Sequence, residues 1–134
     1  MIKCDDTGKL ILRLAVGILI LLHGLMKISS GVGGIEGMLT SHGLPAFIAY
    51  GAYLGEVVGP LLVIVGLYSR VGALLMTGSM VVAILLAHMG QIGSLNAQGG
   101  WALELQGMFL FSSLAVLFLG AGRFSLGGSG GRWN

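Results

Sequence analysis

Apolar residues run along this chain in four long blocks, and the polar residues fall mostly between them. The blocks cover about 10–28, 47–67, 71–89 and 101–120. Each is close to the roughly 20 residues that an α-helix needs to cross bilayer hydrocarbon. Only Tyr68, Ser69 and Arg70 separate the second block from the third, so those helices are expected to be antiparallel neighbours. Between the first two blocks, "GGIEGMLTSHGLP" sets Ile35, Met38 and Leu39 at helical spacing and closes on Gly43 and Pro45. This predicts a short amphipathic helix over about 34–42, lying on the outer membrane surface. The connection "GQIGSLNAQGG" is uncharged and rich in turn formers, and reads as flexible. The Gly/Ser-rich tail at 127–134 reads as mobile. The pattern predicts an all-α fold, an integral membrane four-helix bundle forming a single domain.

Composition sharpens this. With 134 residues, 9% charged and 55% apolar, the chain suits one bilayer-embedded domain. Its 25 glycines suit close packing of membrane helices. The net charge of +2 is small and scattered, which argues against a nucleic-acid partner. Cys4 is the single cysteine, so an intrachain disulfide, a CxxC pair and a dithiol relay are all excluded. The first block has the basic start of a signal peptide, but it contains Arg13 and His23 and lacks an A-x-A site, so it is expected to be a retained helix. With both termini cytoplasmic, that side carries Lys3, Lys9, Arg13, Arg70, Arg123 and Arg132, and the other side only Lys27. Such a bias predicts an N-in, C-in orientation in a bacterial or archaeal cytoplasmic (inner) membrane. Phe47, Tyr50, Tyr53 and Trp101 then anchor the outer interface, and Tyr68 and Phe124 the inner one.

The polar residues inside the blocks carry the chemistry. His23 and Lys27 share a face of the first helix, His88 ends the third, and Glu104 and Gln106 open the fourth. Glu56 lies roughly 14 Å below the outer boundary of the second. A charge at a helix centre costs about 2.5–3.5 kcal/mol on insertion scales, so Glu56 is expected to face the bundle interior. His23 is the neighbour expected for it, while Lys27 either reaches down or anchors at the interface. Without a cation beside it, Glu56 would be protonated. Arg13 is expected to snorkel to cytoplasmic phosphates. Gly51, Gly55 and Gly59 form a row suited to packing within the chain or to a homo-oligomer. Each polar residue also has a plainer structural role open to it: Glu56 as an interhelical latch, His88 as a solvated surface group.

"RLAVGILILLHGLMKI" and "GEVVGPLLVIVGLYSRVGALLM", with His88, Glu104 and the terminal "GAGRFSL", resemble the DoxX family over nearly the whole chain. The resemblance implies a small four-helix membrane protein that works with membrane redox complexes. Some members are similar to subunits of a thiosulfate:quinone oxidoreductase. With Cys4 placed in the cytoplasm, persulfide chemistry at the outer polar cluster is not expected here.

Two functions fit these residues. In the first, the chain is a membrane subunit of an oxidoreductase complex that binds quinone in the outer half of the bundle. His23, Lys27, Glu56, His88, Glu104 and Gln106 are the candidate binding residues, and Met76, Met80 and Met108 wall an apolar slot. In the second it is a non-enzymatic scaffold or assembly factor. In both, its partners are the bilayer and other membrane redox proteins. Haem held by His23 and His88 is the weaker cofactor candidate, and a metal ion at His23, His88 and Glu104 has little support.

Overall fold

The computed structural model describes residues 4–87, 89–128 and 130–134, so Lys3, His88 and Ser129 lie outside the described residues. Five helices and a short 3₁₀ turn (Met89–Gln91), with no strand among these residues, build the chain. The helices are α1 (Asp5–Ser30), α2 (Gly33–Ser41), α3 (Ala46–Val65), α4 (Ser69–Ala87) and α5 (Glu104–Leu119). In α1, Asp5 and Asp6 occupy the first turn and Lys27 the last, which complements the helix dipole. Its buried positions Arg13, Val16, Gly17, Ile20 and Gly24 form one stripe at helical spacing, and that stripe faces the bundle.

Helices α1, α3 and α4 are long and apolar enough to cross a membrane. Helix α5 has 16 residues and starts at Glu104, three residues later than the apolar block begins. The preceding loop explains the delay. Asn96 Oδ1 accepts from the backbone N–H of Gln98 and of Gly100, both at 3.0 Å, and Trp101 Nε1 donates to the Ile92 carbonyl at 2.7 Å. These bonds fold 92–103 back on itself before a helix can begin. The loop expected to be flexible is thus a closed, hydrogen-bonded turn.

Val16 and Ile20 of α1, Val63 of α3, Ala73, Met76 and Met80 of α4, and Phe109 and Val116 of α5 form one core. The outer faces are apolar too: Leu22 is 58% exposed, Leu85 54% and Phe118 76%, as expected where lipid replaces water. A smaller cluster joins Val32 and Leu39 to Ala49, with Ile35, Tyr53 and Leu86 against it. Helix α2 therefore packs Ile35 and Leu39 onto α3 and α4.

The glycine row is used largely inside the chain. Gly55 packs on Ser79, and Gly59 meets Gly72 so closely that an added Cβ would lie 2.8 Å from the Gly72 carbonyl oxygen. Gly51 alone has open space beside it. A homo-oligomer formed through this row would have to do without Gly55 and Gly59.

Arg13 does not snorkel. It is 1% exposed, and its guanidinium donates to four carbonyls: Val63 at 2.9 Å, Ile64 at 3.1 Å, Ala121 at 2.9 Å and Phe124 at 2.8 Å. Two of these are orphan acceptors at the end of α3, so the side chain caps that helix and ties it to the segment after α5. Next to it, Gly66 ends α3 with φ 80°, and a Cβ there would lie 2.5 Å from Arg13 Nη2. The tail is docked as well. Leu126 N–H donates to Val65, Gly127 N–H to Gly66 and Arg70 N–H to the Trp133 carbonyl, while Asn134 Oδ1 accepts from Ser69 N–H at 3.1 Å. Backbone pairing with the α3–α4 turn outweighs the flexible composition. The Arg123 N–H donates to Asp6 Oδ1 at 3.0 Å, so both chain ends share one end of the bundle, here the terminal end. The opposite end, with α2 and the 92–103 loop, is the loop end.

Candidate functional site

Glu56 is 5% exposed and sits within a π-helical turn, Leu54–Val58, that interrupts α3. The backbone sequence accounts for the interruption. Pro60 has no N–H to give to the Glu56 carbonyl four residues before it, and Gly59 N–H bonds back to Leu54, five residues away. The freed carbonyl meets α1 at Gly24, where an added Cβ would lie 2.1 Å from the Glu56 oxygen. Only a residue without a side chain permits this approach.

That contact sets the register of the charged pair. Lys27 lies three residues after Gly24, on the same side of α1, and its Nζ donates to Glu56 Oε2. The lysine side chain is 27% exposed and the glutamate side chain 7%. Tyr53 O–H donates to the Lys27 carbonyl at 3.2 Å and so ties α3 to the same turn of α1. Glu56 thus has a cation beside it: Lys27 reaches down to it, and His23, the expected neighbour, lines a chamber it shares with Glu56 without pairing with it. The long lysine stem, starting one turn nearer the loop end, reaches back to the acid while the histidine ring points along another wall. His23 stands edge-on to Phe109, with centroids 5.6 Å apart and planes at 78°. Neither the His23 ring nor the Gln106 amide has a hydrogen-bond partner among the described residues.

Two cavities meet at this pair. A cleft of about 510 Å³ lies between α2, α3 and α4, walled chiefly by apolar side chains such as Leu39, Leu54, Leu75, Val82 and Leu86. A chamber of about 150 Å³ lies between α1, α3, α4 and α5, and His23, Gln106 and Phe109 line it. Lys27, Glu56 and Ala83 line both, so the ion pair is part of the partition between them. The cleft falls in the range of about 300–1,000 Å³ common to small-molecule sites, and the chamber does not.

Four of the candidate residues, His23, Lys27, Glu56 and Gln106, therefore converge. Glu104 does not join them. It is exposed in the first turn of α5, accepting from Asn96 Nδ2 at 3.4 Å, because α5 starts at this residue and turns it toward the loop. His88 lies outside the described residues, and with it any pairing with His23. Met76 is buried in the core, Met80 lines the chamber, and Met108, 64% exposed, faces outward away from both cavities. Among the described residues no three His, Cys, Asp or Glu side chains gather as a metal site would require. The π turn and the Gly24 contact were missed from sequence. The spacing of Gly24 before Lys27 and of Glu56 before Pro60 is the signal that could have pointed to them.

Comparison with known proteins agrees with the fold. The DoxX family profile matches residues 8–89, from α1 to the end of α4, and this stretch includes His23, Lys27 and Glu56. A Bacillus subtilis (strain 168) protein named "Putative oxidoreductase CatD" is 33% identical over 110 residues, covering 82% of this chain and 81% of that protein. No solved structure matches. The chain belongs to the DoxX family of membrane proteins.

Proposed function

We propose that this protein is a quinone-binding subunit of a membrane oxidoreductase complex. The observation that carries the reading is an apolar cleft of about 510 Å³ with a lysine–glutamate pair in its wall. A quinone needs apolar walls for its tail and a few polar groups at its carbonyls. Leu54, Leu75, Val82 and Leu86 suit the tail. The Lys27 ammonium has N–H bonds beyond the one it gives Glu56, and these suit a carbonyl oxygen. Bound there, quinone carries electrons and protons between complexes. The name of the Bacillus relative, an oxidoreductase, supports the redox setting.

The Lys and Arg distribution supports placing the terminal end in the cytoplasm and the cleft in the outer half of a bacterial or archaeal cytoplasmic membrane. Electrons then come from a redox protein of the same complex, since this chain has no CxxC pair to carry them.

The test is solvent extraction of the detergent-purified protein followed by mass spectrometry. Near-stoichiometric quinone is expected, falling at least several-fold in Glu56→Gln with the fold intact. No quinone in the wild type, together with loss of a co-purifying complex in Glu56→Gln, would replace this reading with the scaffold one.

A further inference from the structure

The chamber has no role in holding a quinone tail, yet two unpartnered polar side chains line it and the ion pair borders it. Its volume of about 150 Å³ has room for several waters. Its lining is polar enough to hold them, with His23, Lys27, Glu56 and Gln106 all contributing. Gln106 lies in the first turn of α5, so the chamber reaches the loop end. His23 is exposed and lines the chamber. The charged and titratable groups near Glu56 are Lys27 and His23 from α1 and Tyr53 from α3, whose O–H is given to the Lys27 carbonyl. Helix α4 adds none among the described residues, and α5 brings only the neutral Gln106.

We infer that the chamber is a water-filled vestibule, and that His23 relays protons through it from the loop end to the Lys27–Glu56 pair. The inference rests on the quinone reading above. Reduction of a quinone to a quinol takes two electrons, here from a redox protein of the complex, and two protons, and it turns two C=O groups into C–OH. The Lys27–Glu56 pair hands a proton to the headgroup oxygen it faces and is one proton short until His23 passes one in from the vestibule, while the far oxygen takes the second proton from water at the mouth of the cleft. Imidazole suits this role because it both accepts and donates a proton near neutral pH. His23 is then a relay and positioning residue, and the pair is what touches the headgroup.

Two measurements test it. The first needs no ligand. In a Cys4→Ser background in lipid vesicles, Gln106→Cys should react with a charged methanethiosulfonate at least tenfold faster than the outward-facing Met108→Cys, because the reaction needs a thiolate in contact with water. Equal rates would overturn the vestibule. The second uses purified protein loaded with decylubiquinone and reduced by methyl viologen radical, which gives up its electron without releasing a proton, with proton uptake followed by a pH indicator. His23→Ala should slow uptake at least tenfold per bound decylubiquinone, with occupancy measured in the same sample, and added imidazole should restore most of the rate. An unchanged rate, or a slow rate that imidazole does not restore, would overturn the relay. Failure of the wild type to retain decylubiquinone would overturn the quinone reading and the relay with it, and the thiol reaction would still decide whether the chamber is wet.

Discussion

A methyl group on Gly24 would sit 2.1 Å from the Glu56 carbonyl oxygen and 2.6 Å from its carbon, both backbone atoms that no rotamer change can move. Gly24→Ala must therefore push α1 and α3 apart. Overpacking of this kind costs about 1–3 kcal/mol, so the variant should unfold at distinctly lower temperature in detergent. Gly34→Ala, with nothing within 4 Å of its added Cβ, is the control and should unfold like the wild type. Arg13 sits at the other extreme, a cation with four carbonyl acceptors and 1% exposure. Arg13→Ala leaves those carbonyls without donors and should cost about 3 kcal/mol or more. Arg13→Lys should recover little, since a single ammonium cannot span acceptors that a planar fork reaches together. Denaturant titration of the two variants checks both statements, and recovery by lysine would show that charge alone matters.

Among the elements, α3 decides the site. A regular α-helix from Ala46 to Val65 would rotate the residues before the π turn relative to those after it, and Glu56 with them. Pro60→Ala restores an N–H that the Glu56 carbonyl can accept, which favours an ordinary turn. The expected outcome is a thermal midpoint equal to or above that of wild type with clearly reduced quinone occupancy. A fall in both together would make Pro60 a stability residue instead. The existence of α1, α3 and α4 was legible because an apolar run of membrane length has few other solutions, and the inward Glu56 reflects the cost of exposing it to lipid. The π turn was not legible. Its cause is one missing donor at Pro60 and one tight contact at Gly24, and periodicity records neither. Nor was the partner of Glu56, because Lys27 and His23 share a face and only the depth of the Gly24 contact chooses between them. Arg13 and the tail failed for a common reason. Their acceptors and donors lie 50 or more residues away in many cases, as with the Arg13 bond to Val63, and composition cannot see across that distance.

For the molecule as a whole, the apolar helices differ in reach. Helix α1 has 26 residues and α5 has 16, about 39 Å against about 24 Å at 1.5 Å per residue. A hydrocarbon core is about 30 Å thick. Read as a fourth span, α5 would oblige the lipids beside it to shorten, on the flank where it contributes Gln106 and Phe109 to the chamber. The protein should thus be most stable in bilayers of short acyl chains, and a series of vesicles of increasing chain length, each assayed for thermal unfolding, would show the midpoint falling as thickness grows. A stunted span of this kind would draw the headgroup layer down toward the polar interior, and the depth at which Glu56 meets water would then be set partly by the membrane and not by the protein alone.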